Sequence, residues 1–294
     1  MAEPARRTPD HDEPEIPSEE KLWDVVQRWV SAPGGGMELQ EFDLTPEYFL
    51  NPRDGDKVIQ HPFHGEICHL VYGLLYDYFL PQEDVAVLFD VQILWGHRES
   101  RQPSPDVTVV RGVRDRRIKT PSFSVVREGV RPCLIIEVVS NSSEELRKTD
   151  LVDKVELYEQ ERIQEYLALD LPQPANGERF QWIGYRLGAD GHYRPIEPDT
   201  QGRFLSETTG LLFGTSPDGQ WIFVVDAATG ERLLTASEYR VKALMEAERA
   251  EREAKKAQRE AKKADKEAKA RKAAEAEVAR LRKELERLKS GLQD

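Results

Sequence analysis

Cysteine is scarce in this chain. Only Cys68 and Cys133 occur among 294 residues, each inside an apolar segment. That placement reads as buried thiols of a reducing compartment and excludes a disulfide framework or a cysteine-rich zinc site. Long apolar runs are missing too. No stretch approaches the ~20 residues that a membrane helix needs, and the N-terminus has no apolar signal region. The expectation is a soluble, cytoplasmic protein. Positive charge is in deficit, with 42 Lys and Arg against 54 Asp and Glu and a net charge of −12. Such a balance argues against coating nucleic acid by charge but leaves room for a local basic groove. Neither a phosphate-cradling glycine loop nor a nucleophile elbow is present, so a small-molecule enzyme of those types has no support. No helix-turn-helix or zinc motif supplies base reading.

What is present divides into three parts. Residues 1–19 are rich in proline and acid and read as disordered. Residues 20–236 suit one medium domain, and residues 237–294 are too charged and alanine-rich for a globular core. Leu22, Trp23, Val26 and Trp29-Val30 fall at helical spacing, so a helix is expected over Glu20–Ser31, with Ser18 as its cap and Pro33-Gly34-Gly35-Gly36 as its end. Thr45-Pro46-Glu47 starts a short helix through Phe49. Gly65–Leu80 is an amphipathic helix ended by Pro81. Strands are expected at Val85–Trp95 and Pro105–Val110, followed by an arginine-rich connection over 111–130. Residues 179–235 read as antiparallel hairpins, with strands at Phe180–Leu187 and Trp221–Val225. The fold expected is α/β: a mixed central sheet flanked by helices, with a long C-terminal helix that starts at Thr235–Glu238 and runs almost to the end.

The chain is organised around Arg131–Leu171. An apolar run, Cys133-Leu134-Ile135-Ile136, leads into Glu137; a helix and a second run, Tyr166-Leu167-Ala168-Leu169, follow. A carboxylate inside so apolar a strand is costly unless it is paired or binds a cation. Asp106 begins the strand expected beside it. Two anions held close repel unless a divalent cation lies between them, and oxygen donors suit magnesium or manganese. Asp150, Lys154 and Tyr158, spaced i, i+4, i+8, share a helix face. A lysine there can lean over Glu137 and offset charge building on a phosphate. Simpler readings stand beside these. Asp106 can cap a turn, Glu137 can pair with an arginine, and Asp150–Lys154 can be a solvated ion pair worth a few tenths of a kcal/mol.

Taken in order, Pro105-Asp106-Val107-Thr108-Val109-Val110, Leu134-Ile135-Ile136-Glu137-Val138-Val139-Ser140, then Asp150, Lys154 and Tyr158, then Glu165-Tyr166-Leu167-Ala168-Leu169-Asp170 resemble the PD-(D/E)XK nuclease superfamily. The closer resemblance is to its Uma-type family of restriction-endonuclease-like proteins. It covers roughly residues 40–238 and ends on Asp226-Ala227-Ala228-Thr229-Gly230-Glu231-Arg232-Leu233-Leu234-Thr235. The resemblance implies a metal-dependent endonuclease acting on DNA, with magnesium or manganese held by Asp106, Glu137 and the backbone carbonyl of Val138. The superfamily's usual lysine would stand where this chain has Val139, and Lys154 would supply the missing charge. His64 matches a histidine often found before the long apolar helix. Either it or Glu66 would support the metal or its water; alternatively they are a surface histidine and a helix N-terminal acid. The approach to His64, Gly55-Asp56-Lys57-Val58-Ile59-Gln60, departs from the family pattern.

For DNA, the candidates are Arg98, Arg101, Arg111, Arg114, Arg116, Arg117 and Lys119, on loops flanking the Asp106 strand. In the tail, a seam runs through Ala254, Ala257, Ala261, Ala264, Ala268, Arg271, Ala274, Val278, Leu281, Leu285 and Leu288. Its leucine end suits a coiled-coil homodimer. The competing function is a nuclease-fold binding or assembly module that acts through this tail.

Overall fold

The computed structural model describes residues 25–53, 57–58, 62–97, 100–118, 120–139, 143–173 and 177–290. The chain separates into two units between Leu233 and Leu234.

The described residues of the first unit begin with a hairpin, where a helix is expected over Glu20–Ser31. Strand β1 (Val25–Ser31) pairs antiparallel with β2 (Met37–Asp43), Trp29 lying opposite Leu39. Ser18, Leu22 and Trp23 lie outside the described residues. Over so short a run helical spacing and strand alternation are hard to separate, and Val25-Val26 and Val30 favour the strand. The glycines read as a helix end form the hairpin turn, where Gly35 and Gly36 have φ of 85° and 96°. Helix α1 (Pro46–Leu50) follows, capped by the Thr45 side chain, which accepts from the Tyr48 N–H. Strand β3 (Lys57–Val58) borders β1 on its other side.

Helix α2 (Pro62–Phe79) begins before Gly65, so His64 is part of it. The strand expected over Val85–Trp95 is two strands, β4 (Val85–Phe89) and β5 (Gln92–Leu94), in different sheets. Asp90 between them takes a left-handed φ of 49°, which a continuous strand does not allow. Strand β6 (Val107–Arg111) returns beside β4. The arginine-rich connection holds β7 (Ser122–Ser124), parallel to β5, and helix α3 (Val125–Glu128). The central unit is β8 (Pro132–Val138), α4 (Glu144–Lys148), a π-helical turn at Thr149–Asp153, α5 (Lys154–Gln160) and β9 (Glu165–Asp170). Strands β10 (Gln181–Leu187), β11 (Tyr193–Pro195), β12 (Phe204–Ser206), β13 (Leu211–Thr215) and β14 (Ile222–Asp226) complete the unit as antiparallel hairpins.

Six strands form the central sheet in the order β11-β10-β9-β8-β6-β4. It is mixed: β8 and β9 are parallel and the other neighbours antiparallel. Alternation along β8 sends Leu134, Ile136 and Val138 into the core under α2 and the β13–β14 hairpin. Ile135 and Val139 enter the opposite core with Leu157, Tyr158 and Tyr166. Fully burying each such side chain contributes roughly 1.5–3 kcal/mol. That scale is what lets the strand carry a buried acid.

The second unit is one helix, α6 (Ala236–Ser290). Thr235 and Glu238 start it reciprocally: the Thr235 hydroxyl accepts from the Glu238 N–H at 3.2 Å, and the Glu238 carboxylate accepts from the Thr235 N–H at 2.8 Å. Among the described residues no helix is long and apolar enough to cross a membrane.

Candidate active site

Because β6 and β8 are antiparallel with Val107 opposite Ile136, the residue before β6 and the last residues of β8 share one end of the sheet. Asp106 and Glu137 meet there. The Asp106 Oδ2 accepts from the Val138 N–H at 2.7 Å, and the Glu137 Oε2 accepts from the Asp106 N–H at 3.3 Å. Side chains thus extend the ladder one step past its last backbone pair. Asp106 bonds across the sheet instead of capping its own turn.

Glu137 is also held from the helix side, by a lysine and a tyrosine in place of an arginine. Lys154 Nζ is 3.0 Å from its Oε1, and the Tyr158 hydroxyl donates to the same oxygen at 2.7 Å. Lys154 reaches Asp150 Oδ1 at 2.8 Å. The Asp150–Lys154 pair is not solvated, since each side chain is only 3 % exposed. The Phe49 ring of α1 lies 5.4 Å from the ammonium. Asp150 lies in the π-helical turn and Lys154 follows it directly, a departure from α geometry often found at functional sites. Val139, where the superfamily's lysine would stand, is fully buried. Lys154 approaches Glu137 from across the helix–sheet interface instead.

Helix α2 closes the other side. His64 Nε2 is 3.5 Å from Asp106 Oδ1. One turn further, Cys68 brings its sulfur into the same space, and ligand atoms of His64, Cys68 and Asp106 all lie within 4.8 Å of one another. Cys68 is absent from the sequence-based set, although its i, i+4 spacing from His64 was visible on the helix face. Asp90 and Phe49 are also additions, and no sequence signal marks them. Glu66 is exposed on a different face of α2, beside Phe63, Phe180 and Trp221, and does not reach the carboxylates.

Burial drives the Glu137 carboxyl up, Lys154 pulls it back, and Asp106 and Asp150 push it up again, leaving it at about 8. Burial also raises Asp90, helped by Asp106, to about 6. Asp106 moves the other way. Burial opposes its charge, but His64, Lys154 and the Val138 N–H together hold it below the ordinary value. His64 loses stability as a cation through burial and regains more from Asp106, so its pKa rises above 6.5. Burial likewise works against the Lys154 charge, yet Asp150, Glu137 and Asp106 keep its pKa raised. Burial and nearby Asp106 push the Cys68 thiol far up, so it remains protonated.

These groups fit a hard divalent cation better than a soft one. Two carboxylates compete for one proton at the end of the sheet, and a cation can take its place. Their donors are oxygens, as magnesium and manganese prefer. The His64–Cys68–Asp106 set mixes nitrogen, sulfur and oxygen and is softer than the carboxylate pair.

The arginines read as flanking loops disperse. Arg111, at the far end of β6, donates to the Thr208 carbonyl and lies over the Phe79 ring. Arg116 binds the Leu80 carbonyl and covers Tyr76, at the end of α2 remote from His64. Arg117 lies 3.7 Å from Asp115. Arg101 pairs with Glu47 of α1, the helix that carries Phe49, at 3.1 Å. Arg98 and Lys119 lie outside the described residues.

Residues 20–219 match the family model described as "Uma2: Putative restriction endonuclease". No curated protein matches the chain. Among solved structures, it is similar to the crystal structure of "a putative nuclease belonging to DUF820 from Anabaena variabilis ATCC 29413", with 17% identity, a TM-score of 0.36, and coverage of 49% of this chain and 73% of that one. With its family match spanning more than half of its length, the chain belongs to the Uma2 family.

Proposed function

We propose that the protein is a divalent-metal-dependent endonuclease hydrolysing phosphodiester bonds of DNA. The observation that carries this reading is the cross-bonded pair Asp106 and Glu137, with the Lys154 ammonium 3.0 Å from Glu137. Asp106, Glu137 and the Val138 carbonyl would hold magnesium or manganese. Such an ion supplies Lewis acidity at the phosphoryl group and makes water a better nucleophile.

The chain's own groups do the rest. Lys154 places positive charge beside the reacting phosphate and offsets the negative charge that grows as water adds to phosphorus and one ester P–O bond breaks. Asp150 keeps Lys154 charged and in place, and Tyr158 fixes the orientation of Glu137. His64 orients Asp106, whose charge in turn raises the histidine's pKa. A homodimer through the leucine end of α6 would present two such sites to a duplex.

The test is cleavage of supercoiled plasmid with magnesium and then manganese. Wild type would be compared with Glu137→Gln and Lys154→Met, and folding checked by circular dichroism. The expected result is cleavage by wild type that falls at least a hundredfold in both variants. Val139 favours a second reading, an assembly module on a nuclease fold. Absence of cleavage and absence of calorimetric metal binding in wild type would establish that reading instead.

A further inference from the structure

The charges of α6 are sorted by face. Its 18 basic and 12 acidic residues give it a net +6, while the whole chain carries −12, so everything outside α6 carries −18. At 100° per residue, the nine cations Arg249, Arg252, Lys255, Lys256, Arg259, Lys262, Lys263, Lys266 and Lys269 occupy an arc of about 160° along a helix length of about 30 Å. Alanines from Ala250 to Ala268 occupy the opposite side, and narrow acidic bands separate the two. Every one of these side chains is exposed.

Within the cationic arc, pairing is uneven. Arg249, Arg252, Lys255, Lys263 and Lys269 each have an acid one turn away. Lys256, Arg259, Lys262 and Lys266 make no ion pair among the described residues. The acids, all but Glu248 at the margins of the arc, therefore stiffen the helix and leave a row of four cations facing solvent.

We propose that this basic face of α6, Arg249–Lys269, is a strip that binds the phosphate backbone of nucleic acid. It rests on the nuclease reading only for the choice of DNA as the ligand. The net charge of the rest of the chain repels a polyanion, and Arg101, Arg111, Arg116 and Arg117 are taken up by carbonyls, rings and acids. The strip matches the missing attraction. A 30 Å row of cations faces a duplex carrying one negative charge per ~1.7 Å of axis. An anionic membrane is the weaker fit. A surface-lying helix needs large apolar residues opposite its cations, and here the opposite side is alanine. Without base-reading groups on the strip, binding is insensitive to sequence.

The experiment measures binding of the full chain to a fluorescein-labelled 30-base-pair duplex in chelator, over a range of salt. Wild type is compared with Lys256→Gln/Arg259→Gln/Lys262→Gln/Lys266→Gln. Glutamine preserves helix propensity and the substitutions leave the flanking pairs intact; circular dichroism verifies the helix. The expected result is at least tenfold weaker binding near 0.1 M salt and a log–log salt slope shallower by about 3 to 4, at ~0.9 per lost contact. Equal affinity and slope in the two proteins would overturn the proposal. So would sedimentation of wild type with phosphatidylserine vesicles in the absence of duplex binding. Loss of cleavage with this binding intact would count against the nuclease reading alone.

Discussion

Lys154 and Glu137 meet at 3.0 Å, with side chains only 3 % and 2 % exposed, from elements on opposite sides of a helix–sheet interface. Among the described residues Lys154 is the ammonium set against Glu137 and Asp150, with Asp106 nearby. Removing it leaves acids buried without their partner, at a cost of about 3–5 kcal/mol. Glu137→Gln leaves Lys154 paired with Asp150 and costs less. Urea denaturation in chelator is expected to show Lys154→Met destabilised by several kcal/mol and Glu137→Gln by under half as much. Equal losses would mean that Asp150 does not compensate.

The same crowding sets a pH dependence. Glu137 has its folded pKa raised from 4.5 to about 8, and Asp90 is raised to about 6. Between the unfolded and folded values the native state holds more protons than the unfolded chain. Stability in chelator therefore falls as pH rises from about 5 to 8, by up to ~1.4 kcal/mol per pH unit for each such proton. Glu137→Gln flattens the slope above pH 6. Magnesium flattens it too, because the cation takes the proton's place. Denaturant midpoints at pH 5, 6.5 and 8 check this, and a midpoint that climbs across that range in chelator would sink it.

Much of this site was legible in the sequence because its chemistry is expensive. An acid in Leu134–Val139 demands a partner, and i, i+4 spacing alone puts Lys154 beside Asp150. The contribution of α2 was harder to see. Cys68 looks like any other small buried residue in an apolar helix, and its approach to Asp106 depends on how α2 crosses the sheet. Asp90 is set by a left-handed backbone that only the tertiary context imposes. The helix expected over Glu20–Ser31 gives way to β1 because Val26, Trp29 and Val30 satisfy both periods over seven residues. The arginines were placed by sequence proximity to Asp106, but β6 carries Arg111 away to the opposite end of the sheet.

Cys68 offers a spectroscopic check on packing around Asp106. Its side chain is buried and its thiol pKa is pushed far up by burial and by Asp106. Alkylation requires the thiolate and access. In a Cys133→Ser background, native protein at pH 8 is expected to react with a maleimide at least a hundredfold more slowly than the urea-unfolded chain. Fast native reaction would show that α2 opens away from Asp106. Asp106→Asn, which removes the negative charge, is expected to speed the native reaction.

The tail gives a prediction about orientation as well as association. Val278, Leu281 and Leu285 are about half exposed along one face of α6, and Leu288 continues their 3–4 spacing in sequence. Placing Val278 and Leu285 at a and Leu281 and Leu288 at d puts Glu277 and Glu284 at g, and Arg282 and Lys289 at e. In a parallel pair each g faces the following e of its partner, so Glu277 meets Arg282 and Glu284 meets Lys289. An antiparallel pair sets glutamate against glutamate. The upstream seam differs: with Ala247, Ala254 and Ala261 at a, the flanking g–e′ pairs are Glu246–Glu251 and Glu260–Asp265, which repel in a parallel pair. The zipper is therefore expected to be parallel and confined to the last two heptads. Light scattering should give a dimer that Leu281→Lys/Leu285→Lys converts to monomer. Glu277→Lys/Glu284→Lys should weaken self-association at least tenfold. Mixing that variant with Arg282→Glu/Lys289→Glu should restore dimers. If neither charge variant weakens self-association and the mixture gains nothing, the parallel zipper is wrong, because only facing g and e residues couple in this way.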